Sequence, residues 1–206
     1  MGHTSSPDFR TLHALRIKGF APTTVLADIT ALPTGNVESH LAAFQAQGHA
    51  VFREQRSLWQ LTPDGKAHHR ERLARDVEAS GALPRVAERY EEFLALNVRF
   101  KQLCYDWQLR GDVPNDHSDD DYDRAVLRRL AALNADAQPV VTAVGRVFAR
   151  FEPYAPRLDH VSRRVLDGET NMFTGVMCGS YHDVWMELHE DLILTQGIDR
   201  SAEGSF

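Results

Sequence analysis

The chain has 206 residues, of which 43% are hydrophobic and 25% charged, and its formal net charge is −6. This composition is typical of a soluble globular protein with one large or two small domains, and its acidic balance argues against coating nucleic acid. The charge is unevenly divided: residues 1–80 carry 9 basic and 8 acidic side chains (net +1), residues 81–206 carry 14 and 21 (net −7), so any nucleic-acid contact is expected in the first part.

The beginning of the chain predicts no targeting segment. No stretch approaches 18 consecutive apolar residues, and no basic segment precedes an apolar one, so we expect neither a membrane span nor a secretory leader. Residues 1–6 fit a short myristoylation consensus, and we interpret them as an untethered tail. Cys104 and Cys178 lie far apart within apolar patterns, which favours buried thiols over a disulfide or a zinc site. These features predict a cytoplasmic protein.

Helices and one β-hairpin are predicted over the first 80 residues. Apolar spacing indicates a first helix ending at Gly19, a second beginning at Thr23 or Thr24, and a third ending at Gly48. Strand-forming residues at 49–54 and 58–61 flank a three-residue turn, which predicts a hairpin. A fourth helix is expected over residues 62–79. Four helices around one hairpin predict a compact unit.

Beyond a boundary at residues 81–84 the pattern is helical throughout. Helices are expected at residues 86–107, 122–137, 140–151, 158–166 and 170–196, with an acidic loop at 112–121. On the last helix an apolar stripe predicts a core-facing side, and the carboxylates are expected mostly outside it. These carboxylates are Asp183, Glu187, Glu190 and Asp191.

The helix at 86–107 has a heptad pattern. Its repeating positions are Val86, Tyr90, Phe93, Asn97, Phe100, Cys104 and Trp107. This seam can form a dimer interface, in which Asn97 would fix the register, or it can pack on later helices of the same chain. Both alternatives can hold at once, because Leu94 and Val98 supply a second apolar strip.

Two segments resemble a known family. Leu26-Ala27-Asp28-Ile29, followed by Leu32 and then by apolar residues up to Gly48, has helix-turn-helix spacing. Leu61-Thr62-Pro63-Asp64-Gly65-Lys66-Ala67, directly after the hairpin, resembles the strand-to-helix exit of MarR-type and related winged-helix transcription regulators. The resemblance covers residues 9–79, about a third of the chain. The hairpin turn is shorter than in MarR-type proteins, so the resemblance is to the wider winged-helix class.

The predicted fold class is mainly α, with an N-terminal winged helix-turn-helix carrying a small β-hairpin (residues 1–80) and an all-α helical bundle (residues 81–206). Polar side chains at the start of the third helix, and arginines flanking the hairpin turn, are the predicted DNA contacts. They are Thr34, Asn36, Ser39, His40, Arg53 and Arg56. Lys18, Lys66 and Arg70 are weaker candidates for phosphate contacts.

An effector site is expected in the helical bundle. Five arginines lie among aromatic residues within 140–166, where they would suit an anionic and partly apolar or aromatic effector, or would pair with the acidic helices. The candidate effector residues are Arg146, Arg150, Arg157, Tyr181, His182, Trp185 and His189. His117, His160 and His182 lie on three separate segments, so their convergence on a metal stays open; no metal or cofactor is predicted.

These features predict a homodimeric transcription regulator, a repressor in our interpretation, that binds a double-stranded DNA operator and responds to a small molecule. The alternatives are a winged-helix protein-interaction module that does not bind DNA and a metal-binding helical enzyme. The sequence has no Walker loop and no GxGxxG, GxSxG or HExxH motif, so we predict no enzyme activity.

Overall fold

The computed structural model describes residues 2–198, and the protein is mainly helical. The N-terminal part, residues 2–80, contains four helices and three short strands. They are α1 (Pro7–Lys18), β1 (Phe20–Ala21), α2 (Thr23–Thr30), α3 (Thr34–Ala46), β2 (Ala50–Arg53), β3 (Leu58–Leu61) and α4 (Pro63–Ser80). The predicted helices and hairpin are found within one to three residues of their expected ends.

The strands form one antiparallel sheet in the order β1-β3-β2. Phe20, which follows the predicted end of the first helix at Gly19, pairs with Gln60 in the two-residue strand β1. Gly19 separates α1 from β1 with a φ of 74°, a conformation that glycine adopts without strain. A 3-10 turn at Glu54–Arg56 connects β2 to β3. The sequence did not predict strand β1, because a strand of two residues is too short to show the alternation of apolar and polar side chains that indicates a strand.

The C-terminal part, residues 81–198, is a bundle of helices with one small hairpin. Its elements are α5 (Leu83–Gln108), β4 (Leu109–Arg110), β5 (Val113–Pro114), α6 (Asp120–Val147), α7 (Tyr154–Leu166), α8 (Asn171–Thr174) and α9 (Tyr181–Gln196). The hairpin of β4 and β5 lies where an acidic loop was expected. No helix among residues 2–198 is long and apolar enough to cross a membrane.

Two predicted helix boundaries are wrong. The helices expected at 122–137 and 140–151 are one helix, α6, which continues through Pro139. The apolar stripe is the same on both sides of the proline, and Gln138 donates Nε2 hydrogen bonds to Asn134 and to the Ala155 carbonyl of α7. These contacts hold the residues next to Pro139 against α7, so tertiary packing outweighs the tendency of proline to end a helix.

The helix expected at 170–196 is interrupted by a loop at residues 175–180. Met177 and Gly179 have positive φ values of 59° and 73°, and the Ser180 hydroxyl accepts from the Asp183 N–H to begin α9. The carboxylate of Asp183 accepts hydrogen bonds from three backbone N–H groups of this loop. Capping thus outweighs the helical periodicity of the sequence here.

Each part has its own hydrophobic cluster. The N-terminal cluster joins α1, α2 and α3 through side chains such as Leu12, Leu26 and Leu41, and the C-terminal cluster includes the heptad seam of α5. The seam packs on later helices of the same chain, as the second alternative predicted. Asn97 accepts a 2.9 Å hydrogen bond from Trp185 Nε1 and is therefore occupied within the chain.

Of the two cysteines, Cys104 agrees with the expectation of a buried thiol and Cys178 does not. Cys104 is mostly buried, and burial raises its pKa to about 12, whereas Cys178 is exposed because it lies in the 175–180 loop rather than in a helix.

Residues 2–6 are not an untethered tail. His3 exchanges backbone hydrogen bonds with Val147 and Ala149, so the start of the chain is attached to the C-terminal part.

Gly65 in the Thr-Pro-Asp-Gly segment is predicted to be essential for packing of α4 on the sheet. A Cβ at this position would lie 1.9 Å from the carbonyl oxygen of His49, so we expect Gly65→Ala to lower the free energy of unfolding by about 2 kcal/mol. Gly35→Ala is the matched control, since no atom lies within 4 Å of a Cβ there and alanine favours the helix by up to about 1 kcal/mol. Urea unfolding followed by circular dichroism measures both; an equal effect of the two changes contradicts the prediction.

Candidate functional site

The exposed face of α3 carries mostly short side chains and is nearly uncharged. Val37, Leu41 and Phe44 are buried, while the other side of the helix carries Thr34, Asn36 and Ser39 in exposed positions. The remaining exposed positions are Gly35, Glu38, Ala42, Ala43, Gln45 and Ala46. A helix with this surface can approach another molecule closely, and its amide and hydroxyl groups can donate and accept hydrogen bonds.

His40 differs from the other three candidates on α3. It is half-buried, and its Nδ1 lies 2.9 Å from the hydroxyl of Thr11 on α1. This hydrogen bond fixes α3 against α1. The structure therefore gives His40 a positioning contact inside the N-terminal part, and leaves Thr34, Asn36 and Ser39 as the exposed polar candidates.

The two hairpin arginines are exposed on either side of the 3-10 turn. Arg53 ends β2 and pairs in register with Leu58, and Arg56 closes the turn. Within residues 2–198 neither arginine has an ion pair with a carboxylate. The hairpin therefore presents two guanidinium groups to solvent that have no ion-pair partner among residues 2–198.

Most other cations of the N-terminal part are neutralised by acidic side chains. Arg16 and Lys18 of α1 pair with Glu190 and Glu187 of α9, at 3.3 and 2.8 Å. Lys18, expected as a weak phosphate candidate, is thus directed toward the C-terminal part because a buried carboxylate attracts its ammonium group. Arg72 and Arg75 likewise pair, with Asp8 and Glu71, whereas Lys66 and Arg70 stay exposed on α4.

A buried polar cluster joins the N-terminal and C-terminal parts, and sequence reasoning missed it. Asp191 of α9 is 1% exposed and accepts hydrogen bonds from His13 Nε2 at 2.8 Å, Arg150 Nε at 3.3 Å and the Tyr154 hydroxyl at 3.2 Å. The prediction that Asp191 and Glu187 lie outside the apolar stripe is wrong, because both carboxylates are buried against cations of other elements.

The cluster extends to α4 and to the start of the chain. Arg150 donates from Nη1 to Asp76 Oδ2 at 3.0 Å, and its guanidinium lies 3.9 Å from the centre of the Phe148 ring. Asp76 also accepts from His3 Nε2 and from the Ser5 hydroxyl, each at 2.7 Å. One arginine therefore connects carboxylates of α4 and α9.

The two histidines of the cluster have a defined electrostatic setting. His13 Nδ1 lies 2.8 Å from His69 Nε2, and the two rings are stacked. Burial lowers the pKa of His69 to about 2, and the neighbouring His13 contributes to this lowering. Burial alone would raise the pKa of Asp191, because it disfavours the charged carboxylate. Attraction to His13 and Arg150 has the opposite and larger effect, so the pKa of Asp191 is lowered. His69 is thus neutral and Asp191 ionised at neutral pH.

The structure does not bring the seven expected effector residues to one cavity. Tyr181, Trp185 and His189 are buried in the C-terminal core, His182 is half-buried against Phe100, and Arg146 is exposed. Arg150 and Arg157 form ion pairs with acidic groups, as the alternative interpretation expected. The cavity beside Arg150, Asp191 and His13 measures about 20 Å³, enough for one water molecule.

The histidines considered for a metal are in separate surroundings. His117 hydrogen-bonds Asp123 at 2.9 Å and stacks near Trp107, His160 is exposed on α7, and His182 lies near Phe100. In the described part of the chain, no group of three or more His, Cys, Asp or Glu side chains is arranged to hold a metal ion.

Comparison with known proteins gives no family. No protein-family model, no curated protein and no solved structure matches this chain. Its function must therefore be inferred from the arrangement of its own residues.

Acid sensitivity is expected from His69. Between pH 6.5 and its folded pKa of about 2, the unfolded state binds a proton that the folded state rejects, so stability falls as the pH falls. This group alone should remove about 2 kcal/mol of unfolding free energy between pH 7 and pH 5. Asp191 does not contribute to the change between pH 7 and pH 5. Because its pKa is lowered in the folded state, the stability that its ionised form provides is lost only near pH 4 and below.

Urea unfolding at the two pH values tests this expectation. His69→Gln should shrink the pH-dependent loss by that amount, and His160→Gln, an exposed histidine, should leave it unchanged. The same pH dependence in the wild type and in His69→Gln would refute the assignment.

Proposed function

We propose that this protein is a sequence-specific regulator of transcription that binds double-stranded DNA in the cytoplasm. In this proposal residues 7–61 form a winged helix-turn-helix, with α3 as the recognition helix and the β2–β3 hairpin as the wing. The order of elements, α1-β1-α2-α3-β2-β3, and the sheet order β1-β3-β2 support the proposal. Thr34, Asn36 and Ser39 would contact base edges and phosphates in the major groove.

The observation that carries the proposal is the selective exposure of positive charge. Arg16, Lys18, Arg72 and Arg75 are paired with carboxylates, whereas Arg53 and Arg56 of the hairpin have no such ion pair among the residues described, as is also true of Lys66 and Arg70 on α4. Unpaired guanidinium groups at a hairpin tip bind phosphates or enter a minor groove without first losing an internal partner. The nearly neutral face of α3 lets the helix enter a groove with only Glu38 opposing it.

We further propose that the protein acts as a homodimer, which a two-fold operator requires. The heptad seam is occupied within the chain, so the dimer surface is assigned to the outer side of α5. Val98 is 68% exposed there, and Tyr105 is exposed one heptad further on the same face. Leu94 and the exposed Val113 of the adjacent hairpin extend this apolar strip.

Removal of the hairpin arginines is predicted to weaken DNA binding. Arg53→Ala combined with Arg56→Ala should reduce affinity for a duplex selected by the wild-type protein from a random library by at least tenfold. The slope of log K against log salt concentration should become shallower by about 0.9 for each phosphate that the variant no longer neutralises. Fluorescence anisotropy at several salt concentrations measures both quantities.

The control for this experiment is Arg85→Ala combined with Arg128→Ala, which removes the same charge from exposed positions of α5 and α6. It should change affinity less than twofold. If the wild-type protein selects no duplex even at low salt, DNA binding is rejected. Equal losses in the two double variants would show that net charge, not the hairpin, is responsible.

The oligomeric state is predicted to depend on Val98. Wild-type protein should have twice the chain mass of 23.2 kDa in solution. Val98→Asp should convert it to monomer, because it places a carboxylate in the proposed apolar contact. Val176→Asp should remain dimeric. It alters a valine that is 73% exposed in the 175–180 loop, away from the proposed contact on α5. Light scattering after gel filtration decides the outcome, and a dimeric Val98→Asp protein would disprove this surface.

A further inference from the structure

A groove with two adjoining cavities lies between the N-terminal and C-terminal parts. The first cavity measures about 360 Å³ and the second about 430 Å³, and the two share Asp28, Arg157, Cys178 and Gly179 in their walls. Cavities of a few hundred Å³ are the size in which proteins bind small molecules. Neither cavity belongs to α3 or to the hairpin tip.

The walls of the two cavities differ in chemistry. The first has an apolar wall from both parts of the protein, made by Phe20, Val25, Leu58 and Met177, and the charged residues Lys18, Asp28, Arg157 and Glu187 complete its lining. The second is lined by Arg157, His160 and Arg164, which follow one face of α7 at spacings of three and four residues. One end of the groove is therefore apolar and the other is rich in hydrogen-bond donors.

Arg157 lies in the wall that the two cavities share, and part of its guanidinium lacks a hydrogen-bond acceptor. Its Nη2 donates to Glu187 at 2.8 Å, while its Nε lies 3.6 Å from Asp28, beyond hydrogen-bond distance. Its Nη1 is buried and has no acceptor among the described residues. A buried donor without an acceptor is unfavourable, and an anion that reaches this guanidinium would remove the deficit.

Two of the three carboxylates around the groove are engaged by cations. Glu187 is shared between Arg157 and Lys18, and Glu169 accepts from Arg164. The third, Asp28, is largely exposed, and within residues 2–198 its one ion pair is the 3.6 Å contact with Arg157. The groove thus keeps donor capacity on Arg157 and His160 that its own acidic groups do not use fully.

The loop that closes the apolar cavity is held in place before any ligand arrives. The Asp183 carboxylate accepts from the backbone N–H groups of Met177, Cys178 and Gly179. This anchoring leaves the Met177 side chain exposed at the mouth of the cavity. An exposed apolar side chain on a fixed loop is suited to covering an apolar ligand.

We propose that this groove binds an amphiphilic monocarboxylate, with its aryl or alkyl body in the apolar cavity and its carboxylate on the Arg157–Arg164 side. The binding site stands independently of DNA; its role as an effector site rests on the function proposed above. Because the ligand would contact α1–β1, β3, α7 and the 175–180 loop together, it would favour one arrangement of the two parts.

The test is calorimetric titration of the full chain, without DNA, using 3-phenylpropionate and its neutral counterpart 3-phenylpropan-1-ol. The acid should bind with one site per chain and at least tenfold more tightly than the alcohol. His160→Ala should weaken acid binding at least fivefold, and Arg163→Ala should change it less than twofold. Arg163 is a control on the same helix, because it is exposed but lies outside both cavity walls.

A second pair of variants tests the apolar end. Met177→Asp should weaken binding of the acid at least tenfold, while Val176→Asp, at the neighbouring exposed position outside the cavity wall, should change it less than twofold. Absence of binding by 3-phenylpropionate, equal affinity for acid and alcohol, or equal effects within either pair would overturn the proposal. Ligand binding by a protein that selects no DNA would leave the site intact and reject only its regulatory role.

Discussion

One buried carboxylate, Asp191, holds the N-terminal and C-terminal parts together. A carboxylate without partners in a protein interior loses several kcal/mol of hydration, so an ionised buried Asp must be surrounded by donors. Here the donors come from three elements, His13 of α1, Arg150 before α7, and Tyr154 of α7. Displacement of the N-terminal part would remove His13 from Asp191 and Asp76 from Arg150, and breaking a buried ion pair of this kind costs about 3–5 kcal/mol. The junction is therefore fixed by charge as well as by apolar contact.

Helix α1 connects this junction to the rest of the N-terminal part. Within four residues it directs Arg10 to the Thr30 carbonyl at the end of α2, Thr11 to His40 of α3, and His13 to Asp191. Since α3 is anchored to α1, the orientation of α3 relative to the bundle depends on how α1 sits on α9. A ligand in the groove beside Lys18 and Phe20 would act on the same helix, which gives the proposed regulation a short structural route.

The elements that the sequence predicted are those with local signals. Gly19, Gly48 and the Thr62-Pro63 cap lie next to the helices that they end or begin, so the first 80 residues were largely predictable. Pro139 and the 175–180 loop were misjudged because their conformations depend on α7 and on Asp183. The polar cluster was missed for the same reason, since His13 and Asp191 are 178 residues apart. A contact between residues so far apart in the sequence does not change the local pattern of apolar and polar side chains, so that pattern cannot predict it.

The acidic excess of the chain acquires a specific meaning from these contacts. Carboxylates of α9 neutralise Arg16 and Lys18 from inside the molecule, so the cations of the N-terminal part that face the bundle contribute little to its outer surface. Arg53 and Arg56 of the hairpin, like Lys66 and Arg70 of α4, are exposed and form no ion pair within residues 2–198, so their charge contributes to the outer surface. A nearly neutral segment can in this way present a locally positive edge. The placement of ion pairs, more than the net charge, therefore decides which surface attracts phosphate.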